Sequence, residues 1–542
     1  MEREISRRDV LKGTALAGAG LAAMGLIGCA PAPKSGSDTQ ALSATGDIAW
    51  DEETDFVVVG AGTGLFGALV AQEKGHEVIV LEKGATYGGT TFLSGGGFWL
   101  PLNHMMEEAD TVEDTVAYML ACDLYGTADE AVCADYAEHC GTAGQYVAET
   151  LGAPFMLSPV RDYNNYDHWG HRQLSLLDAD GAPTGAKAWN DSMRPIVDAS
   201  GLDIRLSTEV TDLITDESGV VVGVAAQSGS DTVRIKARSG VLLATGGFDH
   251  NDEMRRTYLR GPLTGSVAVP TNTGDGHRMG VRAGGKLMNM PSVFGTNAFK
   301  IDDSGQLSNQ PDHYSHRSRP HTIIVNANGR RFFNEGGSYD TSGTALANIE
   351  CGGKAARLAS PATFVADSRF VADYGFGGTP GEAPAEWVRS YDTLEQLAEG
   401  EGLNKERFLE EIERFNSFCE QGIDHDFHRG ESGFEANPDG LAYMFGVVAR
   451  DDLANPFLGP ISTAPFYAAT YGMGSFGTSG GLQVNEHAQV IGEDGPIGNL
   501  YAAGCCAASL VSGYPGPGTA VATGMYRSIR AADHALGLGI FE

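Results

Sequence analysis

Asp55-Phe-Val-Val-Val-Gly60 sets four apolar residues in a row and predicts a short buried strand. A glycine turn follows, Gly60-Ala-Gly62-Thr-Gly64-Leu-Phe-Gly67, and leads into a helical stretch that runs to Lys74. Gly75 ends that helix, and His76 to Leu81 forms a second strand that stops at Glu82. Two further buried strands end in glycine turns. One is Val241-Leu-Leu-Ala-Thr-Gly246-Gly247-Phe248, and the other is Gly498-Asn-Leu-Tyr-Ala-Ala-Gly504. A helical stretch from Gly518 to Leu536 follows the latter. Between them, residues 404–420 carry Phe408, Ile412, Phe415 and Cys419 at helical spacing, an amphipathic helix whose apolar stripe belongs to a core.

Strand, glycine turn, helix, strand and acid in this order describe a dinucleotide-binding unit. Glycines let backbone amides at the helix N-terminus approach a pyrophosphate, and the helix dipole favours its charge. Glu82 is placed to accept hydrogen bonds from the adenosine ribose hydroxyls. The spacing departs from G-x-G-x-x-G, because Leu65 stands where the third glycine belongs and Gly64 comes one residue early. A turn shortened by one residue explains this. The choice between FAD and NAD rests on a second glycine-rich loop straight after the acid. It runs from Lys83 through Gly88-Gly89-Thr90-Thr91 to Ser94-Gly95-Gly96-Gly97. With the strands that end at Gly246 and Gly504, it implies one binding domain assembled from distant pieces of chain, which suits an extended, buried FAD. Gly60, Gly62, Gly64, Glu82, Lys83, Gly89, Thr90, Thr91, Ser94, Gly95, Gly96, Gly246, Asp275, Gly504 and Thr519 are the expected cofactor contacts.

Composition fits this picture. Glycine supplies 74 of 542 residues, about 14% of the chain, twice the usual share, without a collagen-like period. The length suggests about two to four domains. The net charge of −33 opposes nucleic-acid binding. None of the eight cysteines forms C-x-x-C, so zinc-ribbon and c-type haem spacings are missing. Cys505-Cys506 reads as small packing residues near a cofactor loop. His313, His316 and His321, and the pair His168 and His171, lack nearby acids in a ligand pattern, so no metal is expected.

The first residues form a targeting segment. Ser6-Arg7-Arg8-Asp9-Val10-Leu11-Lys12 resembles a twin-arginine signal, and a small-residue apolar stretch follows from Thr14 to Gly28. Leu26-Ile27-Gly28-Cys29 looks like a lipobox, which would lipidate Cys29 and make it the mature N-terminus. Residues 30–51 read as a flexible tether. The expectation is an exported protein, held at the outer face of the cell membrane or in the periplasm, whose only membrane contact is this anchor. A twin-arginine route carries folded proteins and so suits an enzyme loaded with its cofactor before export.

Several motifs then occur in one order: GGTTFLSGGGFWLP at 88–101, GRRFFNEGGSY at 329–339, GIDHDFHRG at 422–430, TSGGLQVNEHAQVI at 478–491 and GYPGPG at 513–518. On these the chain resembles the FAD-dependent fumarate reductase/succinate dehydrogenase flavoprotein superfamily. Within it, the chain looks most like the 3-ketosteroid 1-dehydrogenases, over residues 52–535. The resemblance implies an α/β fold: a Rossmann-like FAD-binding domain built from both ends of the chain (52–287 and 455–542), with an α+β substrate-capping domain inserted at 288–454.

It also implies site residues. Tyr514 and the Gly518 amide match the carbonyl-binding pair, two donors that stabilise enolate character. Tyr339 matches the proton-transfer tyrosine. A free tyrosine titrates near ~10, and a second hydroxyl with the flavin environment is expected to lower that value. Tyr166, in preference to Tyr163, is the expected second tyrosine. Fumarate reductases hold their dicarboxylate partly with an arginine in the C-terminal segment; here no arginine follows Ser512 until Arg527. A neutral carbonyl substrate, steroid-like or an enone, is therefore expected. The alternative is a respiratory ene-reductase fed by a separate cytochrome or quinol partner, since the chain carries no haem motif. A lipid-anchored solute-binding protein is disfavoured by the FAD segments.

Overall fold

The computed structural model describes residues 42–43, 48–163, 166–304, 307, 316–350, 357–358, 361–432, 435, 450 and 452–542. The twin-arginine segment, Cys29, most of the tether, His313 and Cys351 lie outside the described residues. The elements that frame the site follow in chain order. They are β1 (Glu52–Val59), α1 (Gly64–Glu73), β2 (Val78–Leu81), β3 (Gly97–Trp99), β4 (Phe155–Leu157) and β5 (Gln173–Leu176). Then come β6 (Asp231–Leu243), β7 (Val293–Phe299), α2 (Tyr339–Ala345), α3 (Lys405–Gln421), β8 (Phe466–Thr478), β9 (Gly495–Ala502) and α4 (Thr519–Leu536).

The apolar run of β1 is buried because both faces of its sheet are covered. Phe56 and Val58 join a core with Leu65, Phe66, Met525 and Ile529, while Val57 and Val59 point the other way, to Leu213, Val224, Met279 and Leu500. β1 lies between β2 and β6, parallel to both, with Val59 opposite Leu81 and Leu243. β9, from the far end of the chain, pairs in parallel with β6, Val241 opposite Leu500. The nine-stranded sheet among the described residues therefore unites residues 42–243 with 489–502. α1 and α4 meet where the Gly67 amide donates to Ser528 Oγ at 2.9 Å.

A six-stranded sheet is organised around the 13-residue β8, which pairs antiparallel with β7. Its strands come from residues 265–266 to 466–478, wider on both sides than the expected 288–454 insertion. α3 forms as the periodicity predicts. Asn404 caps it by accepting from the Arg407 amide at 3.2 Å, and Gly422 ends it in the left-handed region. Phe408, Ile412, Phe415 and Cys419 are all buried. A third sheet of three short strands sets β5 between β3 and β4.

Candidate active site

A cavity of about 820 Å³ runs from Glu82, Lys83 and residues 208–210 to Tyr339, Phe476, Tyr514 and Gly518. At the first end, the sequence folds the turn tightly against the sheet. Gly60 has φ +101°, and a Cβ there would lie 2.3 Å from the Ala244 carbonyl oxygen. The Glu82 carboxylate accepts from the Ala61 amide at 2.9 Å and the Gly84 amide at 2.6 Å, so the acid also clasps the turn. A carboxylate has about four acceptor sites, which leaves capacity for ribose hydroxyls. Lys83 Nζ donates to Thr273 Oγ1 at 2.9 Å and pairs with Asp275. α1 starts without a side-chain cap at Thr63, and the amides of Leu65, Phe66 and Gly67 are taken by Gly62 O, Thr63 O and Ser528 Oγ, so a ligand there meets the glycine turn before the helix. These donors and this depth fit a dinucleotide.

Gly60, Gly62, Glu82, Lys83, Gly89, Thr90, Thr91, Ser94, Gly95, Gly246, Asp275 and Gly504 line the cavity, as do Tyr339, Tyr514 and Gly518. Four expected residues stand elsewhere. Gly64 packs α1 on the sheet: a Cβ there would meet Val58 and Ala244 side chains at 2.8 and 2.9 Å. Gly96 spends its carbonyl on the Leu176 amide, at 2.9 Å. Thr519 turns its hydroxyl onto the Gly516 carbonyl at 2.7 Å and braces the loop before α4. Tyr166 is 43% exposed, whereas Tyr163 is 3% exposed and packs on the other tyrosines. That Tyr163, and not the expected Tyr166, packs beside Tyr339 has a physical cause. Asp162, beside Tyr163, is buried and accepts from Trp99 Nε1 at 2.7 Å and from Arg172, and this pins the loop inward. Arg172 in turn donates to Asp110 at 2.7 and 2.9 Å.

The second end of the cavity is aromatic. The rings of Tyr163 and Tyr339 lie 5.2 Å apart, Tyr339 and Tyr514 5.9 Å, and Tyr163 and Tyr514 6.0 Å. Phe476 and Phe294 close around Tyr339 and Tyr514. Burial pushes the Tyr339 hydroxyl well above the ordinary tyrosine range, and the charges and hydrogen bonds of Tyr163 and Tyr514 push the same way. This reverses the expectation that a second hydroxyl lowers it. Tyr514 is pushed up to about 12 by burial, partly offset by hydrogen bonds with Tyr339 and the Gly518 and Ala520 amides.

Tyr339 opens α2, capped by Ser338. The loop before it is anchored by a buried ion network: Arg331 donates to Glu335 at 2.6 Å and to Asp424 at 2.7 Å, with all three side chains at 0% exposure. Tyr514 stands on a loop whose Pro515 carbonyl accepts from Tyr118 at 2.7 Å. Gly518, at φ +87°, turns that loop into α4.

Lys83, at the far end, is the one cation among the described lining residues, and Arg527 is buried away from the cavity with its guanidinium on the Ala508 carbonyl. Cys505 reaches the cavity wall. Burial raises both thiols, Cys506 to about 11, so neither is a ready nucleophile. Among the described residues no group of three His, Cys, Asp or Glu is placed to hold a metal ion. Sequence reasoning missed Thr63, Gln173, Ser175, Asn272 and Phe476 on the wall.

The FAD binding domain family matches residues 55–521. A 3-oxosteroid 1-dehydrogenase of Mycobacterium tuberculosis is 30% identical over 567 residues, covering 89% of this chain and 98% of the relative. A digoxin reductase of Eggerthella lenta is 30% identical over 560 residues, 95% of this chain and 93% of that one. Among solved structures, 3-ketosteroid Δ1-dehydrogenase from Sterolibacterium denitrificans in complex with 1,4-androstadiene-3,17-dione superposes with a TM-score of 0.80 at 25% identity, covering 89% of this chain and 99% of that one. The chain belongs to the FAD binding domain family. It is an FAD-dependent oxidoreductase that acts on a CH–CH bond next to a carbonyl, of the 3-ketosteroid dehydrogenase kind.

Proposed function

We propose that this chain exchanges a hydride and a proton across the CH–CH bond beside the ketone of a neutral ring compound, with a 3-ketosteroid the best-fitting class. The observation that carries this is the aromatic end of the cavity. Three mutually packed tyrosines stand there beside the Gly518 amide, and the one cation among the described wall residues, Lys83, lies at the opposite end and is paired with Asp275. Tyr514 O–H and Gly518 N–H donate to the substrate carbonyl oxygen and stabilise the charge that develops on it. Tyr339 transfers the proton at the carbon α to that carbonyl, and Tyr163 orients the Tyr339 hydroxyl. Phe294 and Phe476 exclude water from this step. The Glu82 turn and the 89–95 loop would hold FAD, which when bound would supply the hydride exchange.

Microscopic reversibility lets the same residues run either way, so reduction of an enone is the second reading. A Tyr339 hydroxyl raised by burial stays protonated near neutral pH, the form that delivers a proton. Oxidation needs the deprotonated form, so its rate rises with pH. The likeness to a digoxin reductase over 95% of the chain supports the same ene-reductase reading. Such an enzyme needs electrons from a separate partner. Export by the twin-arginine route with a lipid at Cys29 suits that role, and the mass of the mature N-terminal peptide tests it. For the activity, the holoenzyme is mixed anaerobically with a saturated 3-ketosteroid, and the dithionite-reduced enzyme with cyclic enones. Bleaching in the first case or reoxidation in the second supports the proposal. A flavin inert to both overturns it.

A further inference from the structure

β5 reads Gln173-Leu-Ser-Leu176, and its alternation sorts the side chains. Leu174 and Leu176 enter the core with Phe98 and Phe155, while Gln173 and Ser175 face the cavity. Gln173 is 5% exposed, and its Oε1 is buried without a hydrogen-bond partner. Leaving such a group unpaired is costly, so a fold that keeps it has a ligand for it. The amide is also given room. A Cβ on Gly97 would lie 2.6 Å from Gln173 Nε2 and 3.7 Å from the Gly518 Cα, which puts the carboxamide next to the loop that carries the carbonyl site. Register with Trp99 fixes Gln173 there.

We propose that the Gln173 carboxamide is a flavin-ring contact, pairing its donor and acceptor with the pyrimidine edge of the isoalloxazine. That edge offers alternating carbonyl oxygens and an N–H, the complement of a primary amide. A ribose, a ribityl chain or a pyrophosphate does not present that alternation. The assignment rests on placing the reacting end of the cavity at Tyr339 and Tyr514, since the ring must lie where hydride is exchanged. An amide donor at the ring stabilises negative charge arriving on reduction, so Gln173 also sets the reduction potential of the bound flavin.

The test needs no substrate and therefore fails separately from the proposed reaction. In Gln173→Leu, the FAD dissociation constant is expected to rise about tenfold, the loss of one to two hydrogen bonds. The visible band of the bound flavin shifts, and its midpoint potential falls. The apoprotein of the same variant melts no lower than wild type, because an unpaired buried amide has been removed. Gly97→Ala, which crowds the amide without altering it, reproduces the spectral shift. Three outcomes overturn the proposal: unchanged affinity and spectrum; weaker affinity with an unchanged spectrum and potential, which puts the amide on the ribityl or phosphate portion; or a destabilised apoprotein with unchanged affinity, which makes Gln173 structural.

Discussion

At the Glu82 end of the cavity, strand, turn, helix, strand and acid come from one stretch, residues 52–84, and the groups that meet there are charged or hydrogen-bonding. At the Tyr339 end, Tyr163, Phe294, Tyr339, Phe476 and Tyr514 come from five separated segments, and all are uncharged. The difference teaches how the two tasks are divided. A pyrophosphate and ribose are held by backbone geometry that short-range sequence can build. On the proposed function, a neutral carbonyl is activated by hydroxyls and an amide among buried aromatic rings, where each hydrogen bond counts for more. Changes at the first end should alter cofactor affinity, and changes at the second should alter chemistry.

The comparison breaks most sharply at Tyr339. Tyr339→Phe should lower turnover by about 10²–10⁴-fold, the usual worth of a positioned proton-transfer group, while FAD titration stays at the wild-type value. Steady-state rates in both directions, beside the flavin absorbance, check it; retained turnover returns Tyr339 to a packing role. At the other end, Glu82→Ala should weaken FAD about 10- to 100-fold, since hydrogen bonds to charged groups are involved. Turnover of the fully loaded enzyme should hold, and a large fall at saturating FAD would erase the division.

The two neighbouring tyrosines sharpen the comparison. Tyr163→Phe should slow turnover about tenfold by freeing the Tyr339 hydroxyl, with the pH profile displaced, and the exposed Tyr166→Phe should match wild type in the same assay. Equal effects would undo the assignment. The smallest effect concerns Asp340, next to Tyr339. Burial holds its carboxyl up to about 7, the Gly295 amide at 2.6 Å opposing. A pKa raised in the fold contributes stability that is fully present below the unfolded value near ~3.9 and is lost as pH rises through about 7. The wild-type melting temperature should therefore fall as pH rises from 4 to 7. Asp340→Asn, which keeps an acceptor for Gly295, should flatten that slope, and parallel slopes would show that Asp340 does not titrate there.

Much of the Glu82 end could be read from residue order, because turn glycines, capping and strand burial act over a few positions. The exception is Gly64, which looks like a phosphate glycine but packs α1 against Val58 and Ala244. At the other end, motif resemblance pointed to Tyr339, Tyr514 and Gly518. It could not separate Tyr163 from Tyr166, because Arg161-Asp-Tyr-Asn-Asn-Tyr166 has no periodicity and both tyrosines are flanked by polar residues. The choice was made by Asp162, Trp99 and Arg172, which the chain brings together from three places. Gln173 had a faint signal, its alternation with Leu174 and Leu176, but its neighbour Gly97 lies 76 positions earlier.

By itself, the sequence determined a buried strand with a glycine turn and an acid at the end of the next strand, an amphipathic helix at 404–420, and a flavin-enzyme class. These follow from periodicity, glycine placement and ordered motifs, all of which act along the chain. Tertiary structure alone decided which tyrosine joins Tyr339, that burial raises rather than lowers its hydroxyl, and that an unpaired amide faces the flavin cavity. Each depends on desolvation and on contacts between segments that are separated along the chain, and neither quantity is written in local order.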